Sequence, residues 1–229
     1  DLRKQTRQEM VRDWAQSLKH HPEASHLMVT YTNRDTHLLN EEARHLMRVE
    51  GIMSVDEYFH TVKQKHTDDF GGIIVREETK AFSKGERLVF TENNNSLGVK
   101  NGTLGTIEEL DNQKLKVKLD REDRVVSFAS NLYPYFDRGW AVTIIKSQGS
   151  TADHVFKLAT FEEDRNLAYV GMTRHRESLA VYGSKLDFWK EEIFVDRLSQ
   201  NREKLSSLDY LSQEEAQSSL KPPALLMNS

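Results

Sequence analysis

The feature that most constrains the fold of this chain is a change, along its sequence, in the order and length of helix-forming and strand-forming stretches. Residues 1–50 and 137–205 alternate between helix-forming and strand-forming stretches, which is typical of a parallel α/β layer. Residues 82–136 instead consist of short β-forming runs separated by turn-forming Asn, Asp and Gly. Strands so short and so closely spaced predict a small antiparallel barrel. The order indicates an α/β domain interrupted by an inserted β-barrel.

Within the α/β stretches, apolar spacing predicts a helix over residues 2–18 and a buried strand at 26–32. Thr32 and Asn33 offer capping oxygens for a second helix. Residues 54–70 are also predicted to be helical, with Gly71 and Gly72 ending that helix. Further strands are predicted at 87–91, 103–110, 114–119, 124–128, 140–145, 155–159 and 179–182, and further helices at 165–172 and about 188–198.

These assignments predict three regions. Residues 1–81 and 137–205 are expected to form one discontinuous α/β domain, and residues 82–136 the barrel. Residues 206–229 are rich in Ser, Gln and Glu and are expected to be a tail or linker.

Composition excludes several classes of function. The 229 residues contain no cysteine, which rules out disulfides, thiol nucleophiles and cysteine zinc sites and is compatible with a reducing, cytoplasmic setting. No stretch approaches the roughly 18 apolar residues that indicate a membrane span. The formal net charge is −4, so any binding of nucleic acid must depend on a local groove.

The first segment whose residues are suited to binding or catalysis is 140–149, Trp-Ala-Val-Thr-Ile-Ile-Lys-Ser-Gln-Gly. A buried strand that leads into Lys146, Ser147, Gln148 and Gly149 places polar groups at the carboxyl end of a sheet, where ligands bind in open α/β folds. Gly149 allows close approach of the backbone to a ligand. A strand followed by an ordinary polar turn explains the segment equally well from the residues alone.

The second segment is residues 169–176, Tyr-Val-Gly-Met-Thr-Arg-His-Arg. Arg174 and Arg176 follow a predicted helix, and a guanidinium is a rigid, permanently charged fork suited to phosphate oxygens. An arginine offered to a nucleotide held elsewhere can stabilise charge during phosphoryl transfer. Two surface arginines at a helix end are the simpler interpretation of these residues by themselves.

The order and separation of the two segments resemble motifs V and VI of superfamily 1 helicases. The block from Val29 through Asn40 to Arg44 is similar to the one that opens the second motor domain of these enzymes. Residues 82–90 and 95–106 resemble the SH3-like barrel inserted in RecD-like enzymes, above all in TraA-type conjugative relaxase-helicases. The resemblance covers roughly residues 1–200. It implies a RecA-like parallel sheet with the barrel inserted.

The resemblance also implies roles for matching residues. Arg174 matches the arginine finger that reaches the γ-phosphate of ATP, with Arg176 in support and Gln148 and Gly149 beside the nucleotide. Thr32, Asn33, Thr143, Lys146 and Ser147 match residues that contact single-stranded DNA or couple it to the nucleotide. Ile145 departs from the family, which usually has His there.

The phosphate-binding loop Gly-x-x-x-x-Gly-Lys-Ser/Thr is absent from the sequence. By resemblance, ATP and Mg²⁺ are held mainly by a first motor domain before Asp1, with a relaxase domain earlier still. We therefore expect the chain to be the second motor domain of a 5′–3′ DNA helicase, inactive alone, with those two domains and single-stranded DNA as partners.

Other interpretations stay open at this point. The chain could derive from an exonuclease V α-subunit (RecD) type of helicase, or be a non-catalytic nucleic-acid-binding module. His60 and His66 with Asp68 and Asp69 do not have the spacing of a metal site on one helical face, so no metal is expected. The aromatic residues from Tyr133 to Trp140 suit either base stacking or packing at a domain junction.

Overall fold

In the computed structural model the described residues are 1–67, 72–120, 122, 124–147 and 150–200. They form four helices: α1 (Leu2–His20), α2 (Asn33–Val49), α3 (Arg165–Met172) and α4 (Glu191–Ser199). The parallel strands are β1 (His26–Thr30), β9 (Ala141–Thr143), β10 (Ala152–Ala159) and β11 (His175–Gly183). The antiparallel strands are β2 (Tyr58–Thr67), β3 (Ile73–Phe82), β4 (Arg87–Phe90), β5 (Leu104–Leu110), β6 (Lys114–Leu119), β7 (Val125–Ala129) and β8 (Phe136–Arg138).

The parallel sheet has the strand order β11-β10-β1-β9. Helices α1 and α2 cover one face, where Met10 and Trp14 pack with Leu39, Met28 and Phe156 in a single apolar cluster. The other face carries α3 against β10 and a second cluster that includes Val89 of β4. Because both faces are covered, the central strand β1 is buried from Leu27 to Thr30 and β9 is buried along its whole length, as is usual for parallel sheets. This confirms the predicted α/β class with a parallel sheet.

The second sheet is antiparallel, with the order β7-β6-β5-β4-β8. One face of these strands forms an apolar cluster of its own, in which Phe90, Phe128 and Phe136 pack with Tyr133. Tyr133 is buried and donates a hydrogen bond to the Glu92 carbonyl (2.6 Å). The aromatic residues at this end of the sheet therefore pack inside the protein.

The prediction of a helix over residues 54–70 is wrong, because β2 and β3 form an antiparallel hairpin there. Tyr58 pairs with Phe82 at the base, and nine further residue pairs follow in register. His60 and Val62 are buried whereas Phe59 and Thr61 are exposed, which is the alternation of a strand. A helical interpretation of β2 does not take account of its partner β3, which follows a few residues later and begins with β-branched residues.

A buried ionic cluster joins helix α2 to the antiparallel sheet. Glu86 is completely buried and accepts hydrogen bonds from Arg138 Nε (2.9 Å), Arg44 Nε (3.0 Å) and the Ser83 amide (2.9 Å). Burial raises the pKa of Glu86, and the two arginines oppose that shift. Because the partners come from α2, from β8 and from the loop before β4, the cluster fixes these elements relative to each other.

No helix in the described part of the chain is long and apolar enough to cross a membrane. The predicted tail, residues 206–229, lies outside the described residues.

Candidate functional site

The carboxyl ends of β1 and β9 lie side by side, because these parallel strands pair Thr30 with Thr143. The segments that follow the two strands therefore start at the same edge of the sheet, which we call the carboxyl edge. Thr32 and Asn33 follow β1, and Lys146 lies in the turn after β9. The structure thus brings together the predicted DNA-contacting residues of both segments.

The side chain of Thr32 is used by its own helix. Its hydroxyl accepts a hydrogen bond from the Asp35 amide (3.0 Å) and donates one to the Asp35 carboxylate (2.7 Å). This satisfies one of the N–H groups that the start of a helix leaves open. Asn33 is the first residue of α2 and is partly exposed beside a groove. Asn33 is therefore freer than Thr32 to contact a ligand through its side chain.

The turn after β9 is held by two buried hydroxyl residues. Thr143 Oγ1 accepts a hydrogen bond from the Lys146 amide (3.3 Å), and Ser147 Oγ donates one to the Ile144 carbonyl (2.7 Å). Ser147 is only 1% exposed, whereas Ile145 is 60% exposed. Thr143 and Ser147 shape the turn, and Lys146 is the residue of this segment that lines the groove.

Lys146 is a partly buried cation without an ion pair among the described residues. Burial lowers its pKa; the nearby Asp137 carboxylate opposes this and the Lys80 ammonium adds to it. An ammonium held partly out of water without a paired carboxylate is stabilised by an anion that comes close. The Lys146 carbonyl faces the β4–β5 connection, where a Cβ on Gly102 would lie 2.3 Å from that oxygen.

The groove at the carboxyl edge has a volume of about 480 Å³. The first turns of α2, the β2–β3 hairpin and the segment from β8 to Lys146 form its walls. Its polar lining includes Asn33, Arg34, Arg76, Lys80, Asp137 and Lys146. Sequence reasoning missed the hairpin residues in this list, although two β-capable runs of similar length around Gly71-Gly72 were a usable hairpin signal.

Arg174 lies at the opposite edge of the same sheet, which we call the amino edge. It connects α3 to β11, and its carbonyl accepts a hydrogen bond from the amide of Ala152, the first residue of β10 (3.0 Å). Its Nε donates to the Val170 carbonyl (2.7 Å) and its Nη2 to the Thr173 hydroxyl (3.4 Å). The side chain is partly exposed and forms no ion pair within the described residues.

Arg176 has a different environment. Its Nη1 donates to Asp153 Oδ1 (2.9 Å) and its Nη2 to the Thr151 hydroxyl (3.1 Å). Asp153 also accepts hydrogen bonds from the amide and the hydroxyl of Ser25. These Ser25 bonds, followed by Arg176, lower the pKa of Asp153 to about 2. Arg176 therefore braces the starts of β1, β10 and β11, and Arg174 is the freer guanidinium.

Gln148 and Gly149, which are predicted to bind the nucleotide, lie outside the described residues. His60 is buried and its Nδ1 is 2.9 Å from the Ser130 hydroxyl, while Asp68 and Asp69 also lie outside. Within the described ranges, no group of three or more His, Asp or Glu side chains is arranged to hold a metal ion.

Known proteins are similar to this chain in sequence. Residues 138–182 match the family of UvrD-like helicase C-terminal domains. A probable conjugal transfer protein TraA of Sinorhizobium fredii is 32% identical over 92% of the chain, and TraA of Agrobacterium fabrum is 35% identical over 80%. The chain spans only 18% and 16% of these two relatives. RecD of the RecBCD enzyme of Buchnera aphidicola is 25% identical over 51% of the chain.

Solved structures of Pif1 helicases share the fold. Bacteroides Pif1 in complex with ADP-AlF3 and single-stranded DNA superposes with a TM-score of 0.55 at 17% identity, covering 83% of this chain and 45% of that one. A second Pif1 structure, concerned with unwinding of forked duplex DNA, gives 0.53 at 16% identity, with the same coverage. The predicted resemblance is confirmed: the chain is similar to TraA conjugal transfer proteins and to RecD, contains a segment of the UvrD-like helicase C-terminal family, and shares the fold of Pif1 helicases.

Proposed function

We propose that this chain is the second motor domain of an ATP-dependent 5′–3′ DNA helicase in a conjugative relaxase. The observation that carries the proposal is the placement of two sets of candidate residues at opposite edges of one sheet. Asn33 and Lys146 lie at the carboxyl edge, and Arg174 lies at the amino edge. A helicase needs separate sites for DNA and for ATP that are joined by a rigid element. A sheet covered on both faces is such an element.

Single-stranded DNA is the proposed ligand of the carboxyl edge. The groove there contains Lys146 and Arg34, whereas the chain as a whole is acidic. A local cationic groove is what a protein of net negative charge needs to bind a phosphate backbone. The Pif1 neighbour that was solved with single-stranded DNA supports this assignment.

ATP with Mg²⁺, held by a first motor domain elsewhere in the polypeptide, is the proposed partner of the amino edge. The residues at this edge fit a supporting role, because Arg174 offers N–H groups without a carboxylate partner among the described residues. When ATP is bound there, negative charge develops on its phosphate oxygens as the γ-phosphoryl group is transferred, and the Arg174 guanidinium stabilises that charge. Gln148 and Gly149 belong to the same proposal, with Arg176 as a brace.

The proposed domain organisation is a motor domain with a small barrel inserted in it. The five-stranded antiparallel sheet corresponds to an inserted SH3-like barrel, residues 82–136, within a motor domain formed by residues 1–81 and 137–205. This inserted unit would guide the strand at the carboxyl edge, since Gly102 lies against the Lys146 carbonyl. The relaxase domain of the same polypeptide and a cytoplasmic location complete the proposed setting.

Arg174→Ala in the full-length parent protein is the decisive experiment. Turnover of ATP should fall about 10³-fold or more, as loss of an arginine finger does, while nucleotide binding is largely retained. Arg165→Ala is the matched control, because Arg165 is an exposed arginine at the other end of α3. Near-normal turnover in Arg174→Ala would refute the proposed role.

The RecD type of helicase is the second candidate, since a RecD protein matches half of the chain. The TraA relatives match more of the chain at higher identity, which favours the conjugative type. A non-catalytic binding module predicts a different result. Its affinity for DNA would be the same in Arg174→Ala as in the unsubstituted chain, and the same with and without nucleotide.

A further inference from the structure

We propose that the β2–β3 hairpin is a DNA-binding wall, and that Arg76 on it and Arg34 on α2 bind phosphates of one single strand from opposite sides of the groove. This inference rests on the proposed function, because it takes the groove as the DNA site. It adds an element and two residues that the sequence motifs do not include.

The carboxylates that line the groove already have basic partners within the chain. Asp137 pairs with Lys80 (2.9 Å), Lys80 also approaches Glu78 (3.3 Å), Glu77 pairs with Lys63 (2.8 Å), and Glu41 pairs with Arg138. Each of the four acidic side chains in the described lining thus has a basic partner. Repulsion of an incoming phosphate by these carboxylates is correspondingly weakened.

Three cations of the lining have no such partner. Arg34, Arg76 and Lys146 form no ion pair among the described residues, although all three border the same groove. Arg34 lies in the first turn of α2, and Arg76 lies in β3 opposite Gln64. The lining as a whole has five basic and four acidic side chains, so positive charge is in excess, and the three cations without an ion pair are distributed over more than one wall.

The hairpin wall is bonded to the neighbouring sheet along part of its length. The Lys63 amide donates to the Pro134 carbonyl (2.8 Å), and Gln64 Nε2 and Lys80 Nζ both donate to the Asp137 carboxylate. A two-stranded ribbon is marginal by itself, so these bonds to the neighbouring sheet give it a fixed position. A guanidinium on a fixed wall is pre-positioned for a phosphate.

The chemistry of the lining indicates which part of the strand is recognised. Guanidinium groups bind phosphate oxygens through paired hydrogen bonds and stay charged at every relevant pH. Contacts of this kind fix the position of a strand but carry no sequence information. The inferred ligand is therefore the sugar–phosphate backbone, whatever the bases.

Binding of fluorescein-labelled oligo(dT) and oligo(dA) to the 229-residue chain, measured by anisotropy across a salt series, tests the inference. Arg34→Gln and Arg76→Gln should each weaken binding of both oligonucleotides equally. Each should reduce the slope of log K against log salt by about 0.7, and the double variant by about 1.4, since each phosphate contact to a single strand releases that many counterions.

Arg12→Gln is the matched control, because it removes the same charge from an exposed residue of α1 that has no ion pair among the described residues. It should leave the slope unchanged. An equal loss in Arg12→Gln, or wild-type slopes in both groove variants, would overturn the inference while the proposed function stands. Absence of salt-dependent binding by the unsubstituted chain would instead count against the proposed DNA role itself.

Discussion

At the scale of single residues, the two arginines of the segment 169–176 differ in what they are bonded to. Arg176 forms a short link to Asp153, which is itself fixed by Ser25. Among the described residues, the Arg174 side chain is anchored only through the Val170 carbonyl and the Thr173 hydroxyl of its own helix end. The residue that can exchange its bonds at little cost is the better candidate for a site that opens and closes, because no buried partner is abandoned.

The Asp153 cluster makes a prediction about acid stability. The folded pKa of Asp153 is about 2, below the ordinary value of about 3.9 for an unfolded chain. Its stabilising effect is therefore complete above about pH 5 and is lost as the pH falls through about 2. Urea unfolding of Asp153→Asn should show lower stability than the unsubstituted chain at pH 7 and a difference that vanishes near pH 2. A constant difference across this range would contradict the assignment.

At the scale of elements, the contact between Gly102 and the turn after β9 joins the antiparallel sheet to the parallel sheet. Gly102 has φ +87°, and a Cβ there would meet the Lys146 carbonyl at 2.3 Å. Gly51 has φ +68° with nothing within 4 Å of the added atom. The two glycines therefore share a backbone conformation that side chains disfavour, but only one of them lies against another element.

Substitution of the two glycines separates these effects. Gly51→Ala should lower the free energy of unfolding by about 1–2 kcal/mol, the usual cost of a left-handed residue. Gly102→Ala should lower it further and should also weaken binding of single-stranded DNA, since the Lys146 turn has to move. Urea unfolding and anisotropy measure the two quantities. Equal losses in both variants, with DNA binding unchanged, would mean that the contact has no role in the groove.

Local signals of helices and strands were enough to predict most of these elements. Helix α3 occupies the predicted residues 165–172, and Thr32 caps α2 as expected, because periodicity and caps are encoded within a few residues. The hairpin was missed because its strands are specified by each other. The candidate residues were recognisable from motifs, but their separation onto two edges follows from strand direction, which no single segment reveals.

At the scale of the whole molecule, the chain contains only part of what a motor needs. It provides Arg174 and a cationic groove, but its sequence contains no phosphate-binding loop. We therefore expect the 229-residue chain to release no phosphate from ATP, with or without single-stranded DNA, in a coupled phosphate assay. Sustained release that Arg174→Ala abolishes would show that the chain holds the nucleotide unaided.

The spacing of the two edges also limits how such a protein can change. Strand β1 has five residues, so its ends are roughly 17 Å apart at about 3.3 Å per residue. Surface loops can grow without altering that span, but one extra residue within β1 or β10 would turn every following side chain to the opposite face. The distance between the proposed nucleotide edge and the proposed DNA edge is therefore fixed by the length of the strands, and it can change only through the segments at the strand ends.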